Sequence, residues 1–144
     1  MTLGTVSVVV ALLLSAPASP RGTSDEDEWV IPDAAKARTS PIPPSRENVL
    51  AGRALFQTHC VRCHGEKGRG DGKEAASLSV EPADLSDPVF QSLLTDGEIL
   101  YKLTNGRKKG KDVLMPGMIN KIPAEEDRWK LVAYVRSLAA REKK

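Results

Sequence analysis

The chain has few large rings. Two Trp, two Tyr and two Phe make up 4% of its 144 residues. A core built by this chain alone is therefore short of aromatic volume, and a bound apolar group has room to fill the deficit. Cysteine is also scarce: Cys60 and Cys63 are the only two, so no structural disulfide framework forms elsewhere. No apolar run reaches the ~20 residues that a membrane-spanning helix needs, so any membrane association is expected through a partner complex. The formal net charge of +2 excludes bulk electrostatic binding of nucleic acid. Convincing two-residue alternation of apolar and polar side chains is missing as well, which predicts an all-α fold.

What is present begins with an apolar run over residues 6–14, the length of a signal-peptide core. Ala16-Pro17-Ala18 fits the small-x-small cleavage rule, with the cut after Ala18. The leader lacks Lys and Arg, which leaves an uncleaved anchor as the competing reading. The expected layout is a signal peptide at 1–18, an extended arm at 19–44 and a helical domain at 45–144. The arm carries the acidic run 25–28 and prolines at 20, 32, 41, 43 and 44, which favour polyproline II. Trp29, Val30 and Ile31 are its only apolar cluster, expected to pin a tail to the domain or to a partner.

The chemistry centres on Cys60-Val61-Arg62-Cys63-His64. Two cysteines two residues apart, followed at once by histidine, form the attachment signature of a c-type haem. One helical turn presents both thiols on one side, where they reach the two vinyl groups of the porphyrin. The next residue then offers its imidazole to the iron as proximal ligand. The same stretch admits other readings. A redox dithiol is one, although it normally sits between a strand and a helix. A zinc site using His59, Cys60, Cys63 and His64 is another, although four ligands within six residues do not easily wrap one tetrahedral ion.

Helix signals surround the motif. Ser45 is a candidate N-cap for a helix to about Thr58, with Leu50, Ala54 and Leu55 on one stripe and Gly52 and Phe56 one turn apart. Four glycines between 65 and 72 predict an irregular loop, expected to fold over the haem edge. Asp87-Pro88 opens a short helix to about Leu94. Thr95 and Glu98 form a capping box for the next helix, whose Ile99, Leu100 and Leu103 face inward and which Gly106 stops. The last helix is expected over residues 123–140, with acids at its start and Leu131, Tyr134, Val135 and Leu138 on its apolar face.

An iron held by His64 needs a sixth ligand. Met115, stiffened by Pro116, is the choice, with Met118 as its rival; a thioether raises the potential relative to bis-histidine ligation. Pro82 is a candidate haem-pocket residue whose carbonyl could take the second imidazole proton, or else an ordinary turn proline. The basic stretch 107–111 precedes Met115 and reads as a solvated face or as a docking surface near the haem edge.

From about Asn48 to Leu138 the chain resembles a class I c-type cytochrome. The resemblance rests on Gly52 with Phe56, on Cys60-Val61-Arg62-Cys63-His64-Gly65, on Met115-Pro116, and on Leu131 with Tyr134 and the Tyr-Val-Arg-Ser-Leu ending. It implies a small helical fold around one covalent haem c, with first and last helices crossing at the glycine. It also implies axial ligation by His64 and Met115, and attachment on the far side of the bacterial inner membrane. The expected function is a non-enzymatic, periplasmic single-electron carrier between redox protein partners, with no small-molecule substrate. The competing function is a haem enzyme or gas or redox sensor with a labile sixth ligand.

Overall fold

The structure, a computed structural model, describes residues 29–141. The expected signal segment 1–18 and the acidic run 25–28 lie outside the described residues.

Local capping chemistry sets the helix starts. The Ser45 hydroxyl accepts the Asn48 amide at 3.2 Å and opens α2, Arg46–His59, behind the one-turn α1, Asp33–Lys36. After the single turn α3, Val61–His64, the Asp87 carboxylate accepts the Val89 amide at 2.8 Å and starts α4, Pro88–Ser92. Both arms of the capping box form at α5, Asp96–Asn105: the Glu98 amide donates to the Thr95 hydroxyl, and the Thr95 amide donates to the Glu98 carboxylate. Gly106, at φ +66°, ends that helix. The last helix, α6, spans Glu125–Arg141, two residues later in starting than its proline suggested.

The core forms where α2 crosses α6. A Cβ on Gly52 would lie 2.0 Å from the Lys130 carbonyl oxygen, so the two backbones touch there. Phe56 meets Tyr134 with ring centroids 5.2 Å apart and tilted by 57°. Leu131, Val132, Val135 and Leu138 of α6 join Ile99, Leu100 and Leu103 of α5 in the same buried cluster. The expected stripe on α2 is rotated: Leu50 is half exposed and Ala54 exposed, while Gly52 and Phe56 are the buried pair. The contact at the glycine decides which face turns inward.

A buried polar knot holds α4 to α6. Gln91 Nε2 donates to the carbonyls of Leu85 and Val135 at 2.8 and 3.0 Å. Arg136 donates to the Gln91 side chain and backbone, to the Leu94 carbonyl and to Asp96. The buried Gln91 amide and the partly buried Arg136 guanidinium are thus satisfied, mostly by partners far away in sequence.

Residues 29–44 lie on the helical domain. Ile31 is buried, and the Thr95 hydroxyl donates to the Lys36 carbonyl at 2.8 Å. Gly97 admits the Ala35 carbonyl so closely that a Cβ would sit 2.0 Å from it. Arg38 pairs with Glu125 and stacks over Trp129, 5.4 Å from the ring centroid. The turn α1 interrupts what the prolines suggested was extended throughout.

One element departs from the helical pattern. Strands β1, Gly106–Lys109, and β2, Asp112–Pro116, pair antiparallel over the basic stretch. Arg107 stands opposite Met115 and Lys108 opposite Val113, so Leu114 is the extra residue of a bulge. Gly110 makes the turn at φ +59°. Strand formation by Arg and Lys gives no apolar alternation, which is why the hairpin is silent in the sequence.

Candidate functional site

The turn α3 continues directly from α2. The Cys60 amide donates to Phe56, and the amides of Cys63 and His64 donate to the Cys60 carbonyl at 3.2 and 2.9 Å. Gly65, at φ +75°, stops the turn. Three amides of the following loop then cap it: Gly70 to His64, Gly72 to Cys63 and Glu74 to Arg62, all at 2.9–3.0 Å. Gly72 packs so tightly that a Cβ would lie 2.4 Å from the Arg62 carbonyl. The glycine loop therefore backs the attachment turn. It was expected over the haem edge, but none of its residues borders the cleft described next.

Cys60, Cys63 and His64 open onto one cleft of about 250 Å³. Phe56 and His59 of α2 border it, as do Leu78, Val80, Pro82, Ala83 and Leu85 from the connection before α4. Ile99, Lys102 and Leu103 of α5, Met115 and its neighbours on β2, Met118, and Val135 of α6 close it. Apolar side chains dominate this lining. His59 is half-buried at the cleft.

Electrostatics follow from the burial. The Cys60 thiol is pushed up to about 12, first by burial, then by the neighbouring Cys63, with Lys121 opposing. It stays protonated at neutral pH. Burial also pushes the His64 imidazole below its ordinary value, and the Ala83 carbonyl works against that shift. His64 Nδ1 is itself buried without a hydrogen-bond partner. Pro82 borders the cleft, but its carbonyl faces Gly70, where a Cβ would come within 2.3 Å. The carbonyl acting on the imidazole thus belongs to Ala83, one residue beyond the expected Pro82.

The two candidate methionines differ in environment. Met118 is 3% exposed, is held by its amide to the Leu103 carbonyl at 2.8 Å, and belongs to the core. Met115 is half-buried at the cleft, packed on the edge of that core. Three further residues border the cleft: Trp29 and Arg107, singled out in the sequence only as an arm residue and as part of the basic stretch, and Lys102, which was not. Trp29 lies with its ring 5.3 Å from the Lys102 ammonium and 5.8 Å from the Arg107 guanidinium carbon. Burial lowers the Lys102 pKa from its ordinary value. The signal for Trp29 was its solitary position in a polar arm; its partners were not readable.

The residues fit a covalent haem. Two thiols and an imidazole from one helical turn share an apolar cleft with a thioether, and His64 Nδ1 is a buried polar atom without a hydrogen-bond partner. Among the described residues no three His, Cys, Asp or Glu side chains converge to hold a metal ion, and no helix is long and apolar enough to cross a membrane.

The family model for cytochrome c matches residues 49–139. Among solved structures, a chain of the reducing HAO-like protein complex of Kuenenia stuttgartiensis is similar, at 22% identity and a TM-score of 0.58. The match covers 85% of this chain and 52% of the other, so this chain aligns with about half of that protein's length. A search of curated proteins gives no significant match.

Proposed function

The chain belongs to the cytochrome c family and carries a covalently bound haem c in an electron-transfer domain, and from that premise we propose that it is an exported one-electron carrier with His64 and Met115 as axial ligands. Thioethers at Cys60 and Cys63 hold the haem, which supplies reversible one-electron iron chemistry. The observation that carries the reading is that Cys60, Cys63, His64 and Met115 border a single apolar cleft.

This chain's own residues do the remaining work. Phe56, Leu103 and Val135 exclude water from the cleft floor and so limit reorganisation around a changing charge. The Ala83 backbone acts on the imidazole and opposes the lowering of its pKa by burial. The bulge at Leu114 aims the β2 segment with Met115 at the cleft. With His64 and Met115 both holding the iron, no open position would remain for a substrate, which argues for a carrier and against a haem enzyme or sensor. Pro82 stays in this reading as a cleft residue alone.

Residues 1–18 act in this proposal as a cleaved signal that delivers the chain to the periplasm, where thioether attachment takes place. Redox proteins are the partners. The structural neighbour comes from a protein complex, which favours work within an assembly over free shuttling.

The ferric absorption spectrum tests the ligand set. A weak red sulfur-to-iron charge-transfer band is expected in the wild type and in Met118→Ala, and is expected to vanish in Met115→Ala. Persistence of the band in Met115→Ala would sink the assignment. Rapid binding of carbon monoxide to the reduced wild-type protein would favour the open-site alternative.

A further inference from the structure

An isolated two-stranded hairpin is marginal in water, so what packs on β1 and β2 decides how long Met115 keeps its place. Trp29 packs there. Its indole ring is flanked by the Lys102 ammonium at 5.3 Å and by the Arg107 guanidinium at 5.8 Å. Lys102 lies near the end of α5, and Arg107 is the second residue of β1, joined to that helix through Gly106. Arg107 pairs directly with Met115 across the hairpin. Directly opposed residues of an antiparallel pair project to the same face, and Trp29, Lys102, Arg107 and Met115 all border the cleft.

The ring is itself held in place. Ile31 is buried while Val30 between them is 85% exposed, so the extended segment turns Trp29 and Ile31 inward and Val30 out. Downstream, the Thr95 hydroxyl on Lys36 and the close fit of Ala35 against Gly97 fix the segment to α5.

We infer that Trp29 is a positioning residue for the sixth ligand: its π face ties Lys102 to Arg107 and thereby keeps the Met115 side of the hairpin closed over the cleft. The inference rests on the reading of Met115 as that ligand. It assigns the arm a part in the haem site, where a bare tether would only have to stay attached.

The test uses the full-length holoprotein and carbon monoxide as probe, because the gas binds reduced iron only when the sixth ligand leaves. Trp29→Leu keeps apolar bulk and removes the π face; Trp29→Phe keeps a π face; Val30→Ala alters the arm at an exposed position. Trp29→Leu is expected to raise the association rate roughly five- to tenfold, the size of two lost cation–π contacts. Trp29→Phe and Val30→Ala are expected to stay near wild type. A wild-type rate in Trp29→Leu, or an equal rise in Val30→Ala, would overturn the inference. Met115→Ala separates the two readings. Loss of the red band in that variant with an unchanged rate in Trp29→Leu removes the Trp29 inference alone. Retention of the band in Met115→Ala removes the ligand reading and the inference with it.

Discussion

Gly52 of α2 and Lys130 of α6 meet backbone to backbone: a methyl group on the glycine would stand 2.0 Å from the lysine carbonyl oxygen and 2.9 Å from Tyr134 Cβ. A helix gains about 1 kcal/mol when glycine becomes alanine, but here the added carbon meets a carbonyl that belongs to a second helix and cannot rotate away. Gly52→Ala is expected to lower stability by about 1–3 kcal/mol, the usual range for overpacking. Chemical denaturation of the holoprotein measures it, and an unchanged or raised midpoint would show that α2 and α6 can part without cost.

Met118 and Met115 separate ligation from packing. Met118 is 3% exposed inside the core cluster, and truncation to alanine is expected to cost about 2–4 kcal/mol through a cavity. Its spectrum should stay that of the wild type. Met115→Ala should lose the red band with a smaller loss of unfolding free energy in the haem-free chain. Equal losses of packing stability would contradict the difference in burial.

Ile31 tests whether the arm belongs to the folded unit. Its side chain is buried on the domain while its neighbour Val30 is exposed. Ile31→Ala is expected to lower the thermal midpoint, by the equivalent of about 2 kcal/mol, and Val30→Ala to leave it within error. Identical midpoints for both variants would mean that the Ile31 contact contributes nothing to stability.

Arg38 and Glu125 couple the arm to α6 through two guanidinium–carboxylate contacts. The hydrogen bond from Arg38 is the main cause holding the Glu125 carboxyl below its ordinary value. A depressed carboxylate pKa gives stability that is present above the unfolded value and lost as pH falls through the folded one. Both side chains are largely exposed, so Glu125→Gln is expected to cost well under about 1 kcal/mol near neutral pH. The gap from wild type should close in acid, below the glutamate range. Arg38→Ala should cost more, because it also removes the stack over Trp129. A gap that widens in acid would refute the pairing.

Features written in adjacent residues were legible in the sequence. Ser45, Asp87 and the Thr95–Glu98 pair announce helix starts because a cap needs a side chain and an amide two or three residues away. The attachment turn is equally local, and spacing alone places Cys60, Cys63 and His64 together. Gly52 with Phe56 was visible as a pair, though not that their face would win over Leu50. What stayed hidden depends on distant partners. Gln91 looks like a surface residue until Arg136 and the Val135 carbonyl arrive from α6. Lys108 and Lys109 look like loop until Val113 and Asp112 pair with them. Trp29 finds its cations on α5 and β1, and nothing around it in the chain announces them.

The amides of Gly70, Gly72 and Glu74, closed onto the carbonyls of His64, Cys63 and Arg62, fix the reactive turn from behind and leave the cleft as the side its sulfurs border. In the folded chain both cysteines border the cleft, and the Cys60 thiol is a neutral, half-buried group of low reactivity. A neutral thiol is a poor nucleophile, so sulfur exposed in a still open chain would be the more reactive toward a porphyrin vinyl group.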